Sequence, residues 1–170
     1  MERNLDLRFV VIGAGMSGIL ASIRLRETGY RHVTLLEKAH TIGGTWRENR
    51  YPGLNCDVPA HAYTYSFAPN AEWSSYLAPG PEIQDYFEDV TDRFGLREIA
   101  HFEQEVDSCT YADGVWTVTT KAGMTVEADV VITATGVLHH PRMPEIEGLD
   151  SFAGTVAHSA RWDDAIALDG

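Results

Sequence analysis

The feature that most constrains the fold is the stretch Gly13-Ala-Gly15-Met-Ser-Gly18, with glycine at its first, third and sixth positions. An apolar run rich in β-branched residues precedes it at 7–12, and a segment with helical spacing follows at 16–28. In such a strand–turn–helix unit the first glycine permits the tight turn, the second lets a pyrophosphate approach the backbone, and the third lets helix and strand pack closely. The phosphates then meet the free N–H groups of the helix N-terminus. The motif therefore predicts a dinucleotide site.

A second strand is predicted at residues 32–36, and it ends at Glu37. The resulting β-α-β unit should have parallel strands and a right-handed crossover. Glu37 lies about 20 residues beyond the glycine motif, where a carboxylate accepts hydrogen bonds from the ribose hydroxyls. A negative charge at this position disfavours a 2′-phosphate, so we expect this site not to take NADP.

The remaining chain predicts further layers around this unit. Residues 40–81 are rich in glycine, proline and aromatic residues, which indicates a long functional loop with short helical turns. Residues 81–94 predict a helix with proline in its first turn. Further strands are predicted at 102–111, 115–120, 124–128 and 129–133, with turns at 113–114 and 121–123. The predicted fold class is α/β: a Rossmann-like domain with a parallel sheet plus an antiparallel β-meander.

Composition excludes several classes of protein. The formal net charge is −12, which argues against sequence-independent binding to nucleic acid or to an anionic membrane surface. The sequence has no run of about 20 apolar residues, so it predicts no membrane span. The first residues do not resemble a signal peptide. Cys56 and Cys109 form neither a disulfide framework nor a metal site. We expect reduced thiols, a cytoplasmic location and no bound metal.

Two glycine-containing segments indicate which dinucleotide binds. The pair Gly43-Gly44 follows the second predicted strand, and Ala134-Thr135-Gly136 follows the last one. Both segments resemble those of the two-dinucleotide-binding flavoproteins, whose chain passes close to an extended FAD at these points. The resemblance implies a fold of that flavoprotein type, with FAD as the cofactor of the first site.

A longer pattern identifies the flavoprotein class. Flavin disulfide reductases carry a redox-active cysteine pair just after the glycine pair, whereas this chain has Trp46 there. The spacing Gly44-x-Trp46, Tyr51-Pro-Gly53 and Asp57 resembles the signature of Baeyer–Villiger monooxygenases. A second stretch, from Phe152 to Asp163, resembles the F-x-G-x-x-x-H-x-x-x-W-[P/D] fingerprint that separates these enzymes from their relatives. The resemblance covers roughly residues 7 to 165.

This resemblance implies an NADPH- and O2-dependent monooxygenase. In the family, NADPH reduces the flavin, O2 forms a C4a-peroxyflavin, and the peroxide attacks a ketone carbonyl to give an ester or lactone. Some members oxygenate sulfur or nitrogen. The implied partners are therefore a small ketone or heteroatom substrate and O2, with no nucleic acid and no membrane.

The resemblance also implies roles for individual residues. Trp46 and Tyr63 would line the flavin, and Val106 would meet the adenine through its backbone. Asp57 is the expected catalytic carboxylate, because it could orient a cationic Arg that stabilises an anionic peroxide; no residue of this chain is an obvious candidate for that Arg. The expected cofactor-binding set is Gly13, Gly15, Gly18, Glu37, Lys38, Gly44, Thr45, Trp46, Asp57, Tyr63, Val106, Ala134, Thr135 and Gly136. The expected hinge residues are Phe152, Gly154, His158 and Trp162.

The domain organisation leaves two functional classes open. Residues 1–150 are interpreted as the FAD-binding domain, and residues 151–170 as a connector leading to an NADPH domain that the chain does not contain. One hypothesis is the N-terminal FAD portion of a monooxygenase, either a truncated chain or one subunit of a split enzyme, with most of the NADPH site outside this chain. The alternative is a non-catalytic FAD-binding module.

Overall fold

The computed structural model describes residues 4–168, which form a three-layer α/β structure. The helices are α1 Met16–Glu27, α2 Thr45–Glu48 and α3 Gly80–Arg93. The strands are β1 Arg8–Ile12, β2 His32–Leu36, β3 Ala100–His101, β4 Val106–Ala112, β5 Val115–Thr120, β6 Thr125–Ala128 and β7 Val130–Thr133.

The central layer is a parallel sheet with the strand order β3-β2-β1-β7. Alternate residues of β1 point to opposite faces because the side-chain period of a strand is two. Phe9 and Val11 pack with α1 and α3, whereas Val10 packs toward the antiparallel sheet β4-β5-β6 and its buried Val118. Burial on both faces explains why β1 is almost continuously apolar.

The loop between β2 and α3 contributes to the core, as its aromatic content predicts. Tyr65 and Trp73 are buried in the same cluster as the inner face of α3. The Tyr86 hydroxyl accepts from the backbone N–H of Tyr65 at 2.8 Å and donates to the Ala68 carbonyl at 2.8 Å. The Tyr65 hydroxyl donates to the Met16 carbonyl at 2.5 Å, which ties the loop to the first turn of α1. Short helical turns are present at α2 and at Ala60–Ala62.

The structure corrects one predicted strand. Residues 102–111 were expected to form one strand, but residues 102–105 lie outside any strand. The short β3 precedes them and pairs parallel with the end of β2, while β4 begins only at Val106. The backbone of residues 103–104 is instead held by Ala39 and Glu37, whose carbonyls accept from Glu103 and Gln104 at 2.9 Å each. This segment therefore carries the chain from one sheet to the other.

The other predicted elements are confirmed within one or two residues, including the turn at Asp113 and Gly114, both of which have positive φ. Within residues 4–168, no helix is both long enough and apolar enough to cross a membrane. Residues 137–168 contain only two short 3-10 turns, Leu149–Ser151 and Ser159–Arg161.

Candidate active-site cleft

A cleft of about 620 Å³ opens at the carboxyl ends of β1, β2 and β7. Ligands of open parallel sheets bind outside these strand ends, so this is the expected position for a cofactor. Twelve of the fourteen predicted cofactor-binding residues line it: Gly13, Gly15, Glu37, Lys38, Gly44, Thr45, Trp46, Tyr63, Val106, Ala134, Thr135 and Gly136. The structure thus brings together residues from five separate stretches of the chain.

The turn after β1 requires glycine for steric reasons that the structure makes explicit. Gly13 has φ of 100°, and a Cβ there would lie 2.6 Å from the Ala134 carbonyl oxygen. A Cβ on Gly18 would lie 1.7 Å from the Gly13 carbonyl oxygen. Gly18 does not line the cleft, because its role is to let α1 pack against the turn.

The paired glycines after β2 press directly against this turn. A Cβ on Gly44, which has φ of 55°, would lie 3.0 Å from the Gly15 Cα. The Gly43 N–H donates to the Ala14 carbonyl at 2.9 Å, which fixes the contact. A Cβ on Gly43 would lie 1.8 Å from Oε1 of Gln84 on α3. The glycine pair therefore lets the loop pass between the first turn and α3.

Glu37 is buried at the floor of the cleft, with only 4% of its surface exposed. Its Oε2 accepts from the Ala14 N–H at 2.7 Å, and its Oε1 accepts from the Ala39 N–H at 2.9 Å. Sequence reasoning did not identify Arg47, whose Nη1 lies 3.2 Å from Glu37 Oε1. Arg47 lies ten residues after Glu37 in the sequence, and the helical turn of α2 brings its side chain to the Glu37 carboxylate.

Trp46 and Tyr63 form an aromatic wall of the cleft. The indole Nε1 donates to the Tyr63 hydroxyl at 3.1 Å, and the two rings meet edge to face with centroids 5.6 Å apart. Burial raises the pKa of Tyr63, and the hydrogen bond from Trp46 acts in the opposite direction. The Tyr63 hydroxyl therefore stays protonated at neutral pH.

The opposite side of the cleft comes from the ends of β7 and from the start of β4. The Ala134 N–H donates to the Ile12 carbonyl at 2.8 Å, which continues the β1–β7 ladder into the cleft. His139 and His140 also line the cleft, with ring centroids 4.0 Å apart, although no site role was predicted for them. Burial lowers the pKa of His139, and the positive charge of Lys38 lowers it further. His139 is thus neutral at physiological pH.

Asp57 and the four fingerprint residues lie outside the cleft lining. Asp57 is exposed, and within residues 4–168 it forms no ion pair with a Lys or Arg. Phe152 and Gly154 are exposed, and a Cβ on Gly154 would lie 2.6 Å from the Phe152 ring. The His158 side chain accepts from the Ala160 N–H at 3.1 Å and so caps a 3-10 turn.

Two comparisons extend these observations to other proteins. A family profile described as "NAD(P)-binding Rossmann-like domain" matches residues 11–79. An uncharacterised monooxygenase of Mycobacterium tuberculosis is 51% identical over 160 residues, covering 94% of this chain and 32% of its own length. A Baeyer–Villiger monooxygenase of Streptomyces coelicolor is 46% identical over 166 residues, covering 96% of this chain and 32% of its own length.

The chain is similar over nearly its whole length to the N-terminal portion of Baeyer–Villiger monooxygenases.

Solved structures of flavoprotein monooxygenases share the same backbone. Cyclohexanone monooxygenase bound to ε-caprolactone superposes with a TM-score of 0.86 and 38% identity, over 97% of this chain and 34% of that one. The complex of OTEMO with FAD and NADP superposes with a TM-score of 0.83 and 37% identity, over 94% of this chain and 31% of that one. The chain therefore spans about a third of the length of the Baeyer–Villiger monooxygenases and other relatives that it matches, and it corresponds to their N-terminal portion.

In the part of the chain that the structure describes, no group of three or more His, Cys, Asp or Glu side chains is placed to hold a metal ion. Both cysteines are free thiols, with Cys56 buried and Cys109 exposed.

Proposed function

We propose that this chain is the FAD-binding part of an NADPH- and O2-dependent Baeyer–Villiger monooxygenase, which inserts oxygen beside a ketone carbonyl to give an ester or a lactone. The observation that carries the proposal is the convergence of three glycine segments and the buried Glu37 in one cleft. Since the chain spans about a third of its relatives, the activity is assigned to the whole protein and the cofactor site to this part of it.

The residues present fit FAD. Gly15 carries no side chain where the backbone faces the cleft, so a pyrophosphate can reach the N–H groups at the start of α1. Glu37 offers a fixed acceptor for ribose hydroxyls, and Trp46 with Tyr63 offers an aromatic wall for the flavin. The volume of the cleft lies within the usual range of ligand pockets, roughly 300–1,000 Å³. The family profile that names NAD(P) is compatible, because FAD and NAD share the ADP half that this turn holds.

Each predicted cofactor-binding residue is then assigned a role in binding or orienting FAD. Gly13, Gly15 and Gly18 shape the pyrophosphate turn, and Glu37 with Lys38 holds the adenosine side. Val106, which lines the cleft, is assigned to meet the adenine through its backbone. The flavin side is assigned to Gly44, Thr45, Trp46, Asp57 and Tyr63, and the second passage of the chain to Ala134, Thr135 and Gly136.

FAD, when bound, supplies the redox chemistry that accepts a hydride from NADPH and passes electrons to O2. This chain's own contribution is to orient the cofactor and to exclude water from one side of it. Asp57 is the carboxylate assigned to orient a cationic Arg contributed by the remaining protein, and its exposure in this structure leaves room for that contact. Phe152, Gly154, His158 and Trp162 are assigned to a hinge between domains, with residues 1–150 as the FAD domain and 151–170 as the connector.

We further propose that protein corresponding to the other two thirds of the relatives covers residues 137–168. Seven of the large exposed apolar side chains of the described structure lie in this segment: Val137, Leu138, Met143, Ile146, Phe152, Val156 and Leu168. Exposed apolar patches commonly mark interaction surfaces. The covering protein would supply most of the NADPH site, either in the same polypeptide or as a second one. We also propose a cytoplasmic location, which the two free thiols support.

The first test is FAD binding by the purified chain, followed by visible absorption and by NADPH oxidation under air. We expect a protein-bound flavin spectrum and NADPH oxidation only after the remaining protein is added, with an ester or lactone as the product from a ketone. No FAD binding would overturn the proposed cofactor site. Oxidation of sulfides or amines but not of ketones would favour heteroatom oxygenation, and FAD binding without oxidation in the complete protein would favour a non-catalytic module.

A matched variant separates binding from folding. In Gly15→Ala the new Cβ would lie 3.5 Å from the Gly44 Cα, an ordinary van der Waals distance, and φ of −82° suits alanine. The variant should keep the wild-type free energy of unfolding to within about 1 kcal/mol. It should nevertheless lose FAD affinity, because the methyl group occupies the space through which the pyrophosphate approaches the backbone. Equal FAD affinity in both proteins would contradict the assignment of Gly15.

A further inference from the structure

The Glu37 carboxylate has three donors in this structure. Ala14 N–H reaches Oε2 at 2.7 Å, while Ala39 N–H and Arg47 Nη1 reach Oε1 at 2.9 and 3.2 Å. An ionised carboxylate has about four acceptor positions. Three donors therefore fix the carboxylate in one orientation and leave one acceptor position, in a side chain that is almost wholly buried.

Arg47 is itself fixed by several hydrogen-bond partners. Its Nη1 donates to the Thr41 carbonyl at 2.7 Å, and its Nη2 lies 3.1 Å from Glu48 Oε1. Only 12% of the side chain is exposed. The Lys38 ammonium lies 3.3 Å from the same Glu48 oxygen, so four charges alternate in sign along the cleft wall. A planar guanidinium with fixed partners loses little freedom when it binds a carboxylate.

We propose that Arg47 is a positioning residue for the adenosine half of FAD. It holds the carboxylate of the buried Glu37 in one orientation, so that the remaining acceptor position is available to a ribose hydroxyl. A buried carboxylate that loses a cationic partner is left with an uncompensated charge, which favours its rotation away from the buried position. This inference rests on the proposed FAD site and deepens it.

The test compares Arg47→Gln, Arg47→Lys and the control Arg50→Gln. Arg50 lies on the same loop, but its side chain is exposed and its nearest carboxylate, Asp164, is 4.0 Å away. The affinities for FAD and for ADP are measured by titration, and folding by the thermal midpoint. Arg47→Gln should weaken both ligands by roughly tenfold or more, because a hydrogen bond involving a charged group is lost. Arg47→Lys should fall between that variant and the wild type, and Arg50→Gln should match the wild type.

A double-mutant cycle with Glu37→Gln separates positioning from general structural damage. If Arg47 acts through Glu37, then Arg47→Gln should have little further effect on FAD affinity once Glu37 is already replaced. An undiminished effect in that background, or wild-type affinity in Arg47→Gln, would overturn the inference while leaving the FAD site standing. Failure of the wild-type chain to bind both FAD and ADP would instead overturn the proposed function, and the inference with it.

Discussion

Residues 4–136 and residues 137–168 use their apolar side chains in opposite ways. All members of both hydrophobic clusters found in the described residues lie before residue 135, where they join two sheets and two long helices. In residues 137–168 the large apolar side chains are mostly exposed, as Phe152 and Leu168 illustrate. The first region thus builds its own core, and the second region presents a surface.

This difference separates two tasks. The cleft is made from rigid strand ends and from glycine turns that touch backbone to backbone, as between Gly15 and Gly44. A site on rigid elements keeps its geometry without a partner. The later segment carries the fingerprint residues but has few internal hydrogen bonds, among them the turn capped by His158. The residues that resemble the Baeyer–Villiger signatures are therefore divided between the region of the cleft and the exposed segment 137–168.

The largest expected difference between the two regions is the effect on stability of replacing a phenylalanine by alanine in each of them. Phe87 on α3 is 1% exposed, whereas Phe152 is 61% exposed. Phe87→Ala should lower the free energy of unfolding by about 3–5 kcal/mol, because it removes buried contacts and leaves a cavity. Phe152→Ala should change it by less than about 0.5 kcal/mol. Urea denaturation followed by circular dichroism measures both, and similar losses in the two variants would show that residues 137–168 are packed in solution.

A smaller effect is expected at the glycine turn. Gly18→Ala places a Cβ 1.7 Å from the Gly13 carbonyl oxygen, which is backbone and cannot move without displacing β1 or α1. We expect a loss of about 1–3 kcal/mol in unfolding free energy from overpacking, together with weaker FAD binding. Gly154→Ala meets only the Phe152 ring, which is exposed and able to rotate away, so its stability should stay near that of the wild type. A Gly18→Ala protein as stable as Gly154→Ala would contradict the tight turn.

The sequence predicted the elements whose signals are local. The strand before Gly13, the helix after it and the acidic end of β2 are encoded within about 30 residues, the usual length of a β-α-β unit. The hairpin at Asp113-Gly114 has an equally local signal. Most of the twelve predicted cofactor-binding positions that line the cleft lie at strand ends or in the loops that follow them, whereas Tyr63 follows the 3-10 turn Ala60–Ala62.

Features that depend on tertiary contact were not predictable in the same way. Arg47 sits in a short polar turn and resembles a solvated residue until folding places Glu37 and Thr41 beside it. His139 gave no site signal either, although it borders the cleft. The two-residue β3 is too short for a periodic pattern, since it exists only through pairing with β2.

The smallest expected effect on stability concerns ion pairs, and one pair from each region is compared. Asp129 bridges β1 to β7: its Oδ2 accepts from the Arg8 backbone N–H at 2.7 Å, and its Oδ1 lies 2.9 Å from Arg8 Nη2. Asp164, in the later segment, has only the exposed Arg50 at 4.0 Å. The hydrogen bond from the Arg8 side chain, followed by that from its backbone, lowers the pKa of Asp129.

Because the folded-state pKa of Asp129 is depressed, its stabilising contribution is complete above the unfolded value of about 3.9 and is lost as the pH falls through the lowered pKa. Asp129→Asn should therefore lower the thermal midpoint at neutral pH, and its difference from the wild type should shrink below about pH 4. Asp164→Asn should leave the midpoint unchanged at both ends of the range, since isolated exposed ion pairs contribute little. A constant difference for Asp129→Asn from pH 7 to pH 3 would mean that the bond to Arg8 does not depend on the carboxylate charge. An equal loss in Asp164→Asn would mean that residues 137–168 are held against the α/β core more firmly than their exposed side chains indicate.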